Sequence, residues 1–173
     1  MQTDTSSRRL VVMRHSKAEQ TGESDMTRVL TERGHRDADA VGRWLAKEGF
    51  VPDRALVSSA DRTRQTWAAV AAGAGWSLEA EFDTALYSAG PETALDLLRV
   101  VPSTSRSLIV VGHNPTMAFL AQMLDNGEGD EEVAARMTAG FPTSAVTVFA
   151  YDGEWADLDM ATAALVGFHV GRG

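Results

Sequence analysis

The chain contains no cysteine among its 173 residues. This absence excludes disulfide bonds, metal sites built from thiolates and catalysis by a cysteine nucleophile. Positive charge is also scarce, because 16 lysines and arginines are outnumbered by 24 acidic residues, for a net charge of −8. Without a basic stripe, nucleic acid is not an expected partner. An anion site would need cations that cluster locally, since the overall field of the protein opposes anion binding.

Long hydrophobic runs are missing as well. No segment approaches the length of a membrane span, and the polar first nine residues are not followed by the apolar core of a signal peptide. We therefore expect a cytoplasmic protein without a membrane partner. The length predicts a single domain that spans residues 1–173, and residues 1–8 are expected to form a disordered N-terminal tail.

The apolar pattern predicts alternating strands and helices. Short apolar runs bounded by polar residues predict strands at residues 10–13, 55–57, 79–82, 108–111, 145–150, 155–158 and 164–168. Helical spacing and capping signals predict helices at residues 31–48, 60–74, 91–101, 115–124 and 131–137. Asp152 and Gly153 are typical of a hairpin turn between the late strands. The alternation predicts a three-layer α/β/α sandwich with a mainly parallel central sheet.

Phosphate-compatible side chains follow three of the predicted strands. Arg14 and His15 follow the first, Ser58 and Arg62 follow the second, and Gly112, His113 and Asn114 follow the strand at residues 108–111. In open α/β sheets, ligands bind at the carboxyl ends of the strands. An arginine offers a permanent cationic fork for phosphate, and a neutral histidine can act as a nucleophile or carry a proton.

These residues predict a phosphate pocket at one edge of the sheet. Arg62 would lie in the first turn of a helix, where the helix dipole disfavours a cation unless an anion shares the site. The set lacks the thiol, the P-loop and the metal ligands of other phosphoryl-transfer sites. No histidine pair has metal-ligand spacing, so we expect neither a metal nor another cofactor. His35 and His169 are expected to have no catalytic role, and Lys17 is expected to lie at the rim of the pocket.

Three motifs together resemble the histidine phosphatase superfamily, which includes cofactor-dependent phosphoglycerate mutases and acid phosphatases. They are Arg14-His15, Arg62 with Thr66, and Gly112-His113-Asn114-Pro115. The resemblance covers residue 10 to about residue 168, with the motifs in the expected order. The short chain, Asp25 followed by residues 28–34, and Leu86-Tyr87 resemble SixA-type phosphohistidine phosphatases more than the mutases.

The resemblance implies a phosphoglycerate mutase-like fold and a covalent route. His15 would take the phosphoryl group, and Arg14, Arg62 and His113 would hold its oxygens. A neutral imidazole, with an ordinary pKa of about 6.5, is available near pH 7. Water would then hydrolyse the phosphohistidine intermediate. Three further residues are predicted to bind the substrate: Ser16, Asp25 and Asn114.

Two features depart from the pattern of the family. Ser16 occupies a position that is usually glycine, so it is either a tolerated replacement or an extra donor to phosphate. The glutamate acid of the mutase-type members, carried in an insertion after the third strand, has no counterpart here. Asp25 is our preferred candidate for a general acid, ahead of Glu79, Glu81 and Asp83. A site without a strong acid suits a P–N substrate, because imidazole leaves readily when its far nitrogen is protonated.

We therefore predict a phosphatase that uses a phosphohistidine intermediate and acts on phosphohistidine of a partner protein. One alternative is a phosphatase of small phosphate monoesters that uses the same site. The other is a non-catalytic module that binds phosphoproteins, against which the intact set of Arg14, His15, Arg62 and His113 argues.

Overall fold

The structure is a computed structural model that describes residues 7–173. In this part of the chain, six strands form one sheet with the order β3-β2-β4-β1-β5-β6. The strands are β1 (Arg8–Arg14), β2 (Arg54–Ser58), β3 (Glu81–Asp83), β4 (Ser107–Gly112), β5 (Ala145–Tyr151) and β6 (Ala164–Val170). The first four are parallel to one another, whereas β5 is antiparallel to β1 and β6 is antiparallel to β5. The predicted α/β fold with a mainly parallel sheet is confirmed.

Six helices accompany the sheet in the described part of the chain. They are α1 (Glu32–Lys47), α2 (Asp61–Ala74), α3 (Thr84–Ser88), α4 (Pro91–Arg99), α5 (Thr116–Leu124) and α6 (Glu131–Ala139). None of the helices between residues 7 and 173 combines the length and the apolar character that crossing a membrane requires. The cap of α1 is the one that the sequence predicts, because the Thr31 hydroxyl accepts a hydrogen bond from the backbone N–H of Gly34 at 3.0 Å.

Each face of the sheet carries its own hydrophobic core. Alternate residues of a strand point to opposite faces, so Leu10 and Val12 of β1 pack with α4 and α5 while Val11 and Met13 pack with α1 and α2. All four side chains are fully buried. This double burial explains why β1 and β4 read as continuous apolar runs rather than alternating ones.

The segment between β5 and β6 differs from the prediction. Residues 155–158 do not form a strand, because Trp155–Asp157 is a short 3₁₀ helix. The Trp155 side chain is buried, and its Nε1 donates to the Ser105 carbonyl oxygen at 2.8 Å. Asp152 and Gly153 therefore open a long connection, and β5 pairs with β6 instead of with a hairpin partner at residues 155–158.

The amino-terminal boundary also differs. Arg8 was expected in a disordered tail, but it begins β1 and is only 2% exposed. Its guanidinium donates to Glu154 Oε2 at 2.7 Å and to the Gly153 carbonyl at 2.7 Å. This ion pair and the pairing of β1 with β5 hold Arg8 in the sheet. Residues 1–6 of the predicted tail lie outside the described part of the chain.

Candidate active site

The carboxyl ends of β1, β2 and β4 form the floor of a cleft. Because β4 lies between β1 and β2, the residues that follow these strands are neighbours. The backbone N–H of His15 donates to the Gly112 carbonyl at 2.9 Å, and the ring centroids of His15 and His113 are 5.4 Å apart. The cleft has a volume of about 570 Å³, and Arg14, His15, Arg62 and His113 all line it. The structure thus brings together the four residues that the sequence predicts as a phosphate site.

The hydrogen bond of His15 defines which ring nitrogen is available. Nδ1 lies 2.7 Å from the carbonyl oxygen of Ser16, which can only accept, so Nδ1 carries the proton. Nε2 therefore keeps its lone pair. Burial, together with the charges of Arg62 and Arg14, lowers the pKa of His15 to about 4 against the opposing effect of the Ser16 carbonyl. The ring is neutral near pH 7 and can act as a nucleophile.

His113 is held by a residue to which the sequence interpretation gave no separate role. Its Nε2 lies 2.7 Å from the hydroxyl oxygen of Ser58, at the end of β2. Burial is the main cause that lowers the pKa of His113 to about 3, and the charges of His15 and Arg62 act in the same direction. Nδ1 of this ring is buried and has no hydrogen-bond partner among residues 7–173. If Ser58 donates to Nε2, the single proton of the neutral ring lies on Nδ1.

Arg62 is fixed in the first turn of α2 by Asp25. Its Nη1 donates to the backbone carbonyl of Asp25 at 2.7 Å, and its Nη2 donates to the carboxylate oxygen Oδ2 at 3.0 Å. Thr66, one turn further along the helix, donates to the Arg62 carbonyl at 2.7 Å and accepts from the Ser16 N–H at 3.0 Å. The second motif is therefore attached directly to the backbone of the first.

Asp25 does not have the properties of a general acid. Its carboxylate accepts from the Tyr87 hydroxyl at 2.5 Å, from Arg28 Nη1 at 2.8 Å and from Arg62. These hydrogen bonds, that of Tyr87 first, hold the pKa of Asp25 well below its usual range. The carboxylate is ionised and has no proton to give, so our preferred candidate for the general acid was wrong. Its oxygens are occupied by protein donors, and it positions Arg62 rather than lining the cleft.

Ser16 is not placed to bind substrate through its side chain, contrary to the prediction. It is fully buried, and its hydroxyl oxygen lies 2.6 Å from the hydroxyl oxygen of Ser144. Ser144 has a φ of 65°, which is rare for a residue other than glycine, and its N–H donates to the His15 carbonyl at 3.1 Å. Ser16 is therefore a tolerated replacement whose carbonyl and hydroxyl hold the His15 segment in place.

Asn114, which the sequence analysis predicts to bind substrate, lines the cleft beside Arg14. Its Nδ2 donates to the Phe141 carbonyl at 2.7 Å, and Arg14 Nη1 donates to the same oxygen at 3.3 Å. Helix α5 begins one residue later than expected, at Thr116. The Asn114 side chain still accepts from the N–H of Ala118 at 3.3 Å, so it satisfies one of the free donors at the start of this helix.

Several other predicted assignments concern residues outside the cleft. His35 is exposed, and the ring of His169 stacks on Trp44 with centroids 4.8 Å apart. Neither residue lines the cleft. Four cations that were not assigned to the phosphate site do line it: Lys17, Arg28, Arg33 and Arg172. Among residues 7–173, no three histidine, aspartate or glutamate side chains are grouped so that they could hold a metal ion.

Comparison with known proteins identifies relatives over nearly the whole chain. Residues 10–88 match the family model of the histidine phosphatase superfamily (branch 1). An uncharacterised protein of Mycobacterium tuberculosis is 41% identical over 162 residues, which cover 92% of this chain and all of that protein. A candidate phosphohistidine phosphatase SixA from Nakamurella multipartitia superposes with a TM-score of 0.84 at 32% identity, covering 95% of this chain and 96% of that one. Another from Agrobacterium tumefaciens gives 0.77 at 30% identity, with coverages of 94% and 97%.

Proposed function

The chain belongs to the histidine phosphatase superfamily and is a phosphatase, and we propose that it hydrolyses phosphohistidine of a partner protein through a phosphorylated His15. The observation that carries this proposal is the state of the His15 ring. It is neutral, it is oriented by the Ser16 carbonyl, and it shares one cleft with Arg14, Arg62 and His113. A nucleophile and its charge-neutralising groups are the main requirements of phosphoryl transfer.

In the first step, the lone pair of His15 Nε2 attacks the phosphorus atom while the bond from phosphorus to the substrate breaks. Arg14 and Arg62 neutralise the equatorial oxygens, and His113 lies beside them in the cleft. The phosphorylated ring, which keeps its proton on Nδ1, becomes cationic. The hydrogen bond to the Ser16 carbonyl strengthens as this charge forms, because a charged donor makes the stronger bond.

In the second step, water attacks phosphorus and the bond to His15 Nε2 breaks. The electron pair of that bond returns to Nε2, and the ring leaves neutral because Nδ1 has kept its proton throughout. The water loses its protons to the phosphate product and to solvent. Neither the attack of His15 nor its departure therefore needs a separate proton donor, which is consistent with the ionised state of Asp25.

The ionised state of Asp25, the preferred candidate for a general acid, favours phosphohistidine over alkyl esters. An alkoxide leaving group needs a proton during departure. An imidazole whose far nitrogen is protonated leaves as a neutral molecule. The two structures that are about 30% identical to this chain are candidate phosphohistidine phosphatases, and this supports the same substrate class.

The test compares hydrolysis of a histidine peptide phosphorylated with phosphoramidate and of an aryl phosphate. We expect the native protein to release phosphate from the phosphohistidine peptide, and His15→Ala to lose at least about 10³-fold in kcat/KM because the covalent route is closed. His35→Ala serves as the matched control, because His35 is exposed and lies outside the cleft. Acid-labile ³²P on the native protein, absent from His15→Ala, would identify the intermediate.

Three results would contradict the proposal. Hydrolysis of the aryl phosphate alone would keep His15 as the nucleophile and change the substrate to small esters. Much faster hydrolysis of an alkyl phosphate than of phosphohistidine would contradict the leaving-group argument. Binding of phosphohistidine without turnover of any substrate would indicate a phosphoprotein-binding module.

A further inference from the structure

The cleft contains more positive charge than one phosphoryl group requires. Its volume of about 570 Å³ is in the range of sites for whole small-molecule ligands. Lys17, Arg33 and Arg172 line it in addition to the predicted phosphate ligands. Arg28 also lines it, but its guanidinium is occupied by the Asp25 carboxylate and the Glu19 carbonyl. Three cations therefore remain whose role the transfer reaction does not explain.

Asp37 organises two of these cations. This residue of α1 has a side chain that is only 2% exposed, and its Oδ2 lies 3.7 Å from Arg33 Nε and 3.5 Å from Arg172 Nη1. Its other oxygen accepts from the N–H of Gly173 at 2.9 Å. Arg172 Nη1 also donates to the Thr143 carbonyl at 3.1 Å. A buried carboxylate thus joins the start of α1 to the segment after β6 and holds both arginines at one wall of the cleft.

The charges at this wall do not balance. Lys17, Arg33 and Arg172 supply three positive charges and Asp37 supplies one negative charge, which leaves an excess of two. No carboxylate of residues 7–173 forms an ion pair with Lys17, and the side chains of Arg33 and Arg172 are 57% and 43% exposed. The same cleft already contains Arg14 and Arg62. Gathering this many like charges costs free energy unless an anion is bound among them.

We propose that Lys17, Arg33 and Arg172 form a second anion-binding subsite, which takes a carboxylate or phosphate of the substrate other than the phosphoryl group that is transferred. On a partner protein this group is an acidic side chain near the phosphohistidine. The inference rests on the proposed function for the identity of the substrate, but the subsite itself is defined by the cleft. Arginines spaced around a shared carboxylate favour this role, since their guanidinium groups keep free donors for a second carboxylate or phosphate.

The first experiment compares two phosphohistidine peptides that differ only in their flanks, one with glutamates and one with glutamines. We expect the native protein to prefer the acidic peptide through a lower KM. In the double variant Arg33→Gln/Arg172→Gln, this preference should fall about five- to tenfold, as expected for two partly exposed charge pairs. Arg43→Gln is the control, because Arg43 lies on the same helix and pairs with Asp39 at 2.6 Å outside the cleft.

The second experiment needs no turnover. Calorimetry measures the binding of methylphosphonate and of phosphonocarboxylates with one to three methylene groups between the two anions, to the native protein and to the double variant. We expect a phosphonocarboxylate to bind the native protein more tightly, and the double variant to lose that advantage. A mixed outcome is that the peptides fail as substrates while the phosphonocarboxylate still binds more tightly than methylphosphonate and the double variant loses this difference. In that case the proposed function is wrong, but the subsite is supported as a binding site for a small molecule with two anionic groups. Equal affinities in the native protein, with equal KM values for the two peptides, would overturn the subsite.

Discussion

Three effects determine the pKa of the His15 ring. The Ser16 carbonyl favours a charged ring, whereas burial and the charges of Arg62 and Arg14 disfavour it. Burial is the largest effect, so the pKa falls to about 4. A nucleophilic imidazole must be neutral, and this environment keeps it neutral over a wider pH range than an unperturbed histidine would allow.

The low pKa predicts the pH dependence of the ring. Protonation of Nε2 removes the lone pair, so the competent form should be lost as the pH falls through about 4, and not near 6.5. We expect the Cε1–H resonance of His15 to titrate with a midpoint near 4 in the free protein, while kcat/KM for a phosphohistidine peptide is maintained from pH 7 to 5. The resonance is assigned by its disappearance in His15→Ala. A midpoint near 6.5 would show that burial does not control this ring.

Residue types were easier to predict than residue partners. Arg14, His15, Arg62 and His113 were identified because they follow strands that the apolar pattern makes visible. Asp25 was misassigned because its ionisation depends on Tyr87, which is 62 positions away in the chain. The role of Ser16 depends on Ser144, which is 128 positions away. No local pattern reports such contacts.

At the scale of elements, predicted strands and helices agree with the structure where periodicity, caps and burial all indicate the same element. Helix α1 begins after its predicted cap, Thr31, and β4 contains the predicted apolar run at residues 108–111. The short helix α3 was missed because it spans only Thr84–Ser88, too few residues to show periodicity. The prediction of a strand around Trp155 was wrong because a single buried tryptophan in the sequence does not distinguish a strand from a 3₁₀ helix.

The packing of α1 against α2 depends on two glycines. A Cβ at Gly42 would lie 2.0 Å from the Val70 carbonyl oxygen, and one at Gly73 would lie 2.2 Å from that of Asp39. These are backbone atoms that cannot rotate away. The two helices therefore approach more closely than a residue other than glycine at position 42 or 73 would permit. Arg62 lies in the first turn of α2, so this packing contributes to its position.

Gly42→Ala should destabilise the protein, although alanine is the better helix former. Steric overlap with the α2 backbone should cost about 3 kcal/mol, which lowers Tm by roughly 6–12 °C for a chain of this length. Helix propensity alone would stabilise the variant by up to about 1 kcal/mol, so the two effects have opposite signs. Gly140→Ala is the control, because φ is 176° and no atom lies within 4 Å of the added Cβ. Calorimetry that shows a raised Tm for Gly42→Ala would contradict the close approach of the helices.

For the whole molecule, the fold class followed from alternation, but the composition of the cleft did not. Strand ends supply its floor, and these are visible in the sequence. Its far wall joins Arg33 and Asp37 of α1 to Arg172, which lies about 135 positions later in the segment that follows β6. The antiparallel strands β5 and β6 bring that last segment back to α1.

The net charge of −8 repels an anionic substrate, whereas the cationic cleft attracts it. The dependence of kcat/KM on salt concentration shows which of the two effects is larger. Raising NaCl from 0.05 to 0.5 M shortens the screening length to a few ångströms. If the cleft dominates, kcat/KM for an aryl phosphate should fall several-fold, because its attraction is screened. Lys17→Gln should reduce the dependence of kcat/KM on salt concentration. Arg64→Gln should not change it, since Arg64 packs on Phe82 outside the cleft. A rate that rises with salt would mean that repulsion by the acidic molecule controls encounter. Because six lysines and arginines line the cleft in which the anion binds, we expect the rate to fall.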